Sequence, residues 1–426
     1  MGNDFYKDQK FGKSLKLSLI DALLYSIMVG AGESYLPAYA LALGYSDVAA
    51  GVLTSLPLIT GAFLQLFTPT IIQRTRKPKR WMVLSAAVQA MVFLPLIYFE
   101  THQKPNFWIL ILIFTLYWTS GFSINPYWTH WMNNLVPDEI KNQYFSLRSR
   151  VAQLGVLIGL VGGGLSLHYK VEIGPFSGFF TLLFLMAFVC RIVSSIVLSQ
   201  KEYVVEWDSN VTEEKVSFKE YFKFLTSGSD ASKFILGLFP FYACVYISAP
   251  FVSPFLLSQV KMDYSDYMGA LIALLAGKIV GAIFLEQKGK MMDSKQIFFW
   301  GVFLISPGPM FWGLSKNYLF ILVLQFASGF AWAFYEVGTQ LLLFKNQNIK
   351  NRISFVSLYN FVMSCAVIVG TFVGASFIRN FSPTYQNFVT LFLLGGFLRV
   401  VFSAVLLNRV IRPKDDDDIQ DPQAVT

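Results

Sequence analysis

Charge is what this sequence has least of: 14% of its 426 residues are Asp, Glu, Lys or Arg, against 54% hydrophobic, and the mean hydropathy is +0.51. A water-soluble globule could not cover so much apolar surface, and a disordered chain needs the opposite balance. Cysteine is limited to Cys190, Cys244 and Cys365, each in a different apolar run, so no spacing suggests a metal site or a disulfide framework. The histidines His102, His130 and His168 are scattered, and neither His-Glu-x-x-His nor Gly-x-Ser-x-Gly occurs. Nothing therefore points to catalytic residues, a metal or a cofactor, and an enzyme is not expected. The phosphate loop Gly-x-x-x-x-Gly-Lys-Ser/Thr is missing too, which excludes direct use of ATP. The formal net charge is +8, but the basic residues fall between apolar runs, where they orient helices rather than bind nucleic acid.

What the chain has instead is long apolar runs. Crossing about 30 Å of hydrocarbon at 1.5 Å per residue takes about 20 apolar residues. Twelve such runs lie near 16–43, 48–72, 81–99, 107–132, 150–169, 176–199, 233–259, 266–287, 296–314, 318–344, 353–378 and 386–408. The first is too long for a signal-peptide core and no small-residue cleavage site follows it, so a retained helix is expected. Stretches such as Ile109–Phe114 do not alternate in polarity, which excludes barrel strands. The expected fold is an all-α integral membrane protein of twelve transmembrane helices in two pseudo-symmetric six-helix bundles.

Of the 34 Lys and Arg residues, only Lys104, Lys170, Lys261, Lys316 and Arg379 fall on the side away from the N-terminus, so both termini are expected in the cytoplasm. The domain reading is an N-terminal bundle over 1–199, a cytoplasmic linker over 200–232, a C-terminal bundle over 233–409 and an acidic tail over 410–426 holding Asp415–Asp418. Within the linker, the aromatic spacing of Val216–Leu225 predicts a short amphipathic helix lying on the membrane. Asn210-Val211-Thr212 fits a glycosylation sequon but falls on the cytoplasmic side, where it reads as ordinary linker.

Three ordered matches relate the halves at a shift of about 210 residues. Phe184–Arg191 parallels Phe392–Arg399, Ile140-Lys141-Asn142 parallels Ile349-Lys350-Asn351, and Tyr45-Ser46-Asp47 parallels Tyr264-Ser265-Asp266. Parallel repeats of this kind accompany transporters that rock two halves about a midplane site.

Twelve spans, a six-plus-six division and a mid-chain loop together resemble the major facilitator superfamily, from about Leu15 to Arg409. That family carries a Gly-x-x-x-Asp-Arg-x-Gly signature after spans 2 and 8. Glu286-Gln287-Lys288-Gly289-Lys290 resembles its core, with Gln287 where Arg is usual and Ala282 for the first Gly, which implies a gating role for Glu286 and Gly289. After span 2, Gln73-Arg74-Thr75-Arg76-Lys77 keeps the basic residues but has Gln73 in place of the Asp and Arg76 in place of a Gly, which weakens any first-half gating pair. Asn125–Trp131, with Leu135-Val136-Pro137 and Tyr144–Arg150, resembles a group of bacterial permeases in that superfamily.

Ionisable groups inside the spans are the informative ones, each costing about 2.5–3.5 kcal/mol to insert unless paired or hydrated. They are Asp21, Glu33, Arg191, Lys278, Glu336 and Arg399. The resemblance implies that spans 1, 4, 7 and 10 line a central cavity, that spans 2, 5, 8 and 11 flank it, and that spans 3, 6, 9 and 12 lie outermost. Glu33 on span 1, desolvated whenever the cavity is shut, suits proton uptake and release; its structural alternative is a fixed ion pair or hydrogen bond. Lys278, deep in span 8, needs an acidic partner, either Glu336 on span 10 or Glu33, as an exchanging pair or a fixed clamp. Arg191 and Arg399, equivalent in the repeat, are read as structural ties on outer spans. Asp21 is expected half solvated near Arg148 or Arg150 as an inner gate, or without a special role. Tyr117, Trp118, Trp332 and Tyr335 lie where rings can meet a substrate, whereas Trp128 and Trp131 fit an interfacial belt.

The resulting expectation is a secondary active transporter of a small solute, working by alternating access with H+ as coupling ion. It would act as a monomer in a bacterial inner membrane. Export of amphiphilic compounds or lipids is the alternative, and a transporter-like membrane sensor or receptor the alternative of another class.

Overall fold

The computed structural model describes residues 9–45, 47–102, 105–168, 178–202, 218–288, 291–345 and 352–411. Gly289, the Asn210–Thr212 sequon, the Ile349-Lys350-Asn351 match, Asp415–Asp418 and residues 203–217 of the linker lie outside them.

Every regular element among the described residues is helical, as lipid requires of a chain whose backbone must satisfy its own hydrogen bonds. Spans 3 to 6 are Pro78–Met91 continued by Phe93–Thr101, Phe107–Leu135, Lys141–His168 and Thr181–Gln200. Spans 8, 10, 11 and 12 are Tyr264–Lys288, Tyr318–Lys345, Arg352–Phe381 and Tyr385–Ile411. Among the described residues ten helices are long and apolar enough to cross a bilayer. Spans 2 and 9 complete the twelve. Span 2 is Asp47–Gln65, and span 9 is Ser294–Ile305 followed by a 3-10 turn at Gly308–Gly313.

Besides the step at Val92 in span 3, four spans expected to be continuous are broken: span 2 stops at Gln65 and a separate helix follows at Thr68–Thr75, and spans 1, 7 and 9 are interrupted as well. Span 1 runs Gln9–Ala31, turns through a 3-10 segment at Glu33–Tyr35 and resumes at Leu36–Ala42 with Pro37 in its first turn. Gly32 sits at the break because a Cβ there would lie 2.6 Å from the Phe93 ring and 2.9 Å from Ala187. Span 7, Asp230–Ser248, ends in 3-10, α and π turns down to Gln259. Span 9 stops where Pro307 and Pro309 remove backbone donors.

The packing repeats itself. Span 1 lies against spans 5 and 6, span 2 against 4, and span 3 against 4 and 6. Six spans later the same pairs recur: 7 with 11 and 12, 8 with 10, and 9 with 10 and 12. Between the two sets, span 5 meets spans 8 and 10, and span 11 meets spans 2 and 4. The close pairs within each set meet at small residues, as is usual where lipid gives helices no hydrophobic reason to associate. A Cβ on Gly159 would lie 2.3 Å from the Ile27 carbonyl oxygen, and one on Gly370 would lie 2.1 Å from that of Ala243.

The linker helix, Phe218–Leu225, is seated on protein rather than only on a membrane surface. Tyr221 is buried and donates a 3.3 Å hydrogen bond to the Leu66 carbonyl at the end of span 2, while Phe224 packs on Phe355 of span 11. The end of the bundle where this helix lies is the linker end.

Candidate functional site

A cavity of about 340 Å³ lies among spans 1, 3, 4, 5 and 6 and is closed on one side by Gln340 of span 10. Its charged lining is Asp21, Glu33, Arg148 and Arg191. At the break in span 1, Glu33 accepts a 2.7 Å hydrogen bond from the Tyr117 hydroxyl, and among the described residues it makes no ion pair. Tyr117 is fully buried, its ring edge-on to Phe93 and Trp118. Tyr117 is therefore a proton donor to the carboxylate rather than an open stacking face, and of the two rings it is Trp118 that lines the cavity.

Arg191 does not face outward. It is 3% exposed and reaches the cavity from span 6, donating through Nε to Gln89 Oε1 at 2.8 Å and through Nη1 to Ser194 Oγ at 2.9 Å. Ser194 passes the contact on, donating to Asp21 Oδ1 at 2.8 Å. Gly121 makes room for this chain, since a Cβ there would lie 2.7 Å from Gln89 Nε2. Asp21 is thus buried and bound into a relay, not half solvated, because span 6 crosses close to span 1 at this level. The long arginine stem explains how a residue on an outer span reaches inward. The signal available in the sequence was the pair Ser194-Ser195 one turn beyond it, an unusual polar step in an apolar run.

Arg148 and Arg150 part company. The Arg148 guanidinium stacks 4.1 Å from the Trp128 ring and lines the cavity together with Asp21, and its Nε has no hydrogen-bond partner among the described residues. Arg150 instead pairs with Glu286 of span 8 at 2.8 Å, joining the two sets of six helices. Nearby, Lys278 Nζ lies 2.6 Å from Glu336 Oε1, and Gln153 of span 5 donates to Glu336 Oε2 at 3.3 Å. Glu33 is therefore not the partner of Lys278. Gln153, not singled out in the sequence, ties the pair to the other half. A second polar bridge runs from Asn125 of span 4 to Asn360 of span 11 at 3.4 Å and on to Gln65 of span 2 at 3.3 Å. Tyr335 is packed parallel to Tyr242 and near Phe298, away from this cavity, and Trp332 lines a different one.

Trp128 and Trp131, expected in an interfacial belt, are both buried, because span 4 continues to Leu135 and is enclosed by protein at that end. Trp131 donates to the Glu202 carbonyl at 2.9 Å and holds the Lys201 ammonium 4.3 Å from its ring centre. Lys201 lies just beyond span 6 in what reads as solvated linker, yet it is fully buried, with Met132 Sδ at 3.5 Å. Burial pushes its ammonium down to about 8 from 10.5, with Asp21 opposing and Arg148 and Lys79 adding to the effect. A base whose folded value lies below its unfolded one weakens the fold at pH below both, and stability returns as pH rises from about 8 towards 10.5. Lys201→Met is accordingly expected to raise stability at pH 7 by about 1–2 kcal/mol, after loss of the cation–π contact, with the gain vanishing above the unfolded value. Thermal unfolding of both proteins across that pH range checks it.

Among the described residues no group of three or more His, Cys, Asp or Glu is placed to hold a metal ion. Helices that cross a bilayer in two matched sets of six, with buried charges around a cavity among those of the first set, define a membrane transport protein. Residues 22–294 match the family model of the Major Facilitator Superfamily, and the chain belongs to that superfamily. A search of curated protein sequences returned no match. Solved structures share the fold at low identity. The E. coli fucose:proton symporter FucP, as a single-substitution variant, superposes with a TM-score of 0.71 at 13% identity, covering 94% of this chain and 99% of that one. A bacterial homologue of the iron transporter ferroportin, in an outward-facing state, gives 0.67 at 14% identity, covering 94% and 100%. The human organic anion transporter MFSD10 (TETRAN) gives 0.67 at 11%, covering 93% and 99%.

Proposed function

We propose that this protein is a secondary active transporter that moves a small solute by alternating access, with proton uptake at Glu33 coupled to solute movement. The observation that carries the reading is Glu33 itself: a carboxylate at a helix break, facing a cavity, held by the neutral donor Tyr117 and by no cation among the described residues. Such a group gains little from staying ionised and can cycle its proton as water access changes. Balanced charge around it, two carboxylates and two guanidinium groups, suits a polar or zwitterionic solute that meets both signs. The Arg150–Glu286 and Lys278–Glu336–Gln153 contacts are the joints that opening at the linker end would break. Their position fits a cytoplasmic linker end, which the distribution of basic loop residues also supports. A bacterial inner membrane, a monomer and domains bounded at 199, 233 and 409 complete the proposal.

The substrate is sought by thermal-shift screening of the purified protein, since a ligand of the folded state raises its apparent stability. With a hit in hand, a one-unit pH gradient across proteoliposomes can support at most about tenfold accumulation under one-to-one coupling. Glu33→Gln is expected to abolish that accumulation while leaving solute exchange down its own gradient. Accumulation by the variant equal to that of the wild type would remove Glu33 from the coupling role.

A further inference from the structure

A second and larger cavity, about 590 Å³, lies wholly within the second set of helices, among spans 7, 8, 9, 10 and 12. Its volume is within the range of about 300–1,000 Å³ usual for small-molecule sites. Most of its wall is apolar, with Leu256, Leu271, Leu274 and Phe330 lining the interior. Leu304, Phe311 and Phe326 in its lining are exposed, so on the side of spans 9 and 10 the cavity is not sealed by protein, and none of its lining residues belongs to the cavity that Glu33 lines.

Arg399 is the exception in this lining. It lies midway along span 12 and is 5% exposed. Its Nη2 donates to the Val245 carbonyl at 2.8 Å and to Ser248 Oγ at 2.7 Å, but Nε has no partner among the described residues. The internal repeat sharpens the point. In the first half the equivalent Arg191 reaches Asp21 through Ser194, whereas span 7, which packs on span 12, carries no acidic residue beyond Asp230 at its far end. Two neutral acceptors do not balance a guanidinium at that depth, and a buried cation without a counter-charge is costly. A carboxylate matches the guanidinium fork in both charge and geometry.

We propose that this cavity binds a free single-chain amphiphile with a carboxylate head, the head on Arg399 and the chain along the apolar wall. Ser248 beside the guanidinium supplies a further polar contact for the head, and the buried Gln325 is another polar group in the lining. The site is separate from the cavity that Glu33 lines and does not depend on proton-coupled transport there.

The test uses two tryptophans already in the cavity, Trp312 and Trp332. Bromodecanoate added to the purified full-length protein is expected to quench tryptophan fluorescence saturably, and Trp312→Phe/Trp332→Phe to abolish the saturable part. Bromodecanol, with the same chain and no charge, should need about tenfold more for half-quenching, the worth of a charge-assisted hydrogen bond. Arg399→Gln should shift bromodecanoate to the bromodecanol midpoint. Because Arg399 also ties span 12 to span 7, Ser328→Phe, which fills the cavity without touching the arginine, serves as an independent variant and should prevent quenching. Equal midpoints for acid and alcohol, or unchanged quenching in folded Ser328→Phe, would overturn the assignment. Quenching by a brominated phospholipid that decanoate cannot displace would likewise overturn it, in favour of a bilayer lipid.

Discussion

Lys278→Met is expected to abolish transport and to lower the unfolding midpoint sharply, because it strands Glu336 inside the bundle with only Gln153 beside it. The pair is close, at 2.6 Å, and joins span 8 to span 10. Removing one member of a buried pair costs about 3–5 kcal/mol, chiefly from the charge left behind. With side-chain exposures of 18% and 35%, this pair belongs at the lower end of that range. Lys278→Met/Glu336→Gln removes both charges and should recover stability to within about 1 kcal/mol of the wild type. Transport should not return, since the joint to Gln153 no longer carries a charge. Thermal unfolding in detergent separates the two effects, and a Lys278→Met protein as stable as the wild type would show that the pair does not hold these helices.

Gly159→Val is expected to prevent folding altogether. Spans 1 and 5 touch backbone to backbone where Gly30 and Gly159 face each other: a Cβ on Gly30 would lie 2.3 Å from the Val156 carbonyl oxygen. Overfilling a packed site usually costs about 1–3 kcal/mol, but here the obstacle is backbone rather than a side chain that can swing away, so a larger loss is expected. Gly162→Ala, one turn along the same span, is the control. Its nearest neighbour would be Met186 Cε at 3.7 Å, and its effect should stay within about 0.5 kcal/mol. Expression and size-exclusion profiles of the two variants decide the matter, and a monodisperse Gly159→Val protein with unchanged melting would refute it.

The architecture was legible because lipid is a demanding solvent. Run lengths near 20 residues and the lysine and arginine asymmetry follow from bilayer thickness and insertion, and they need no tertiary knowledge. The breaks were harder to read. Pro37 follows the break in span 1 instead of marking it, and Gly32 is needed there only because Phe93 comes close, which is a fact about span 3. The charges divide in the same way. That Glu33, Lys278 and Glu336 lie deep in the bundle is a matter of counting residues, but which carboxylate Lys278 chooses depends on the angle between spans 8 and 10. Arg191 escaped because assigning a helix to the outside says nothing of where so long a side chain ends. Lys201 escaped because polarity and position both read as linker, and only the neighbouring Trp131 and Met132 show it to be enclosed.

The glycine contacts have a counterpart in where they do not occur. Among the described glycines, only Gly164 has a neighbour in the opposite set of helices, and that neighbour is the methyl end of Met268, 3.8 Å away. Backbone meets backbone inside each set. Across the seam the contacts are between side chains, polar as in Arg150 with Glu286 and Asn125 with Asn360, apolar as in Phe145 with Phe344, or from a side chain to a single carbonyl, as from Asn142 to Met292. Water can replace the polar contacts one at a time, whereas the apolar ones would have to part together. Nothing can replace the interlocked backbones, so if the two sets part, the parting is expected along the seam, with each set keeping its shape.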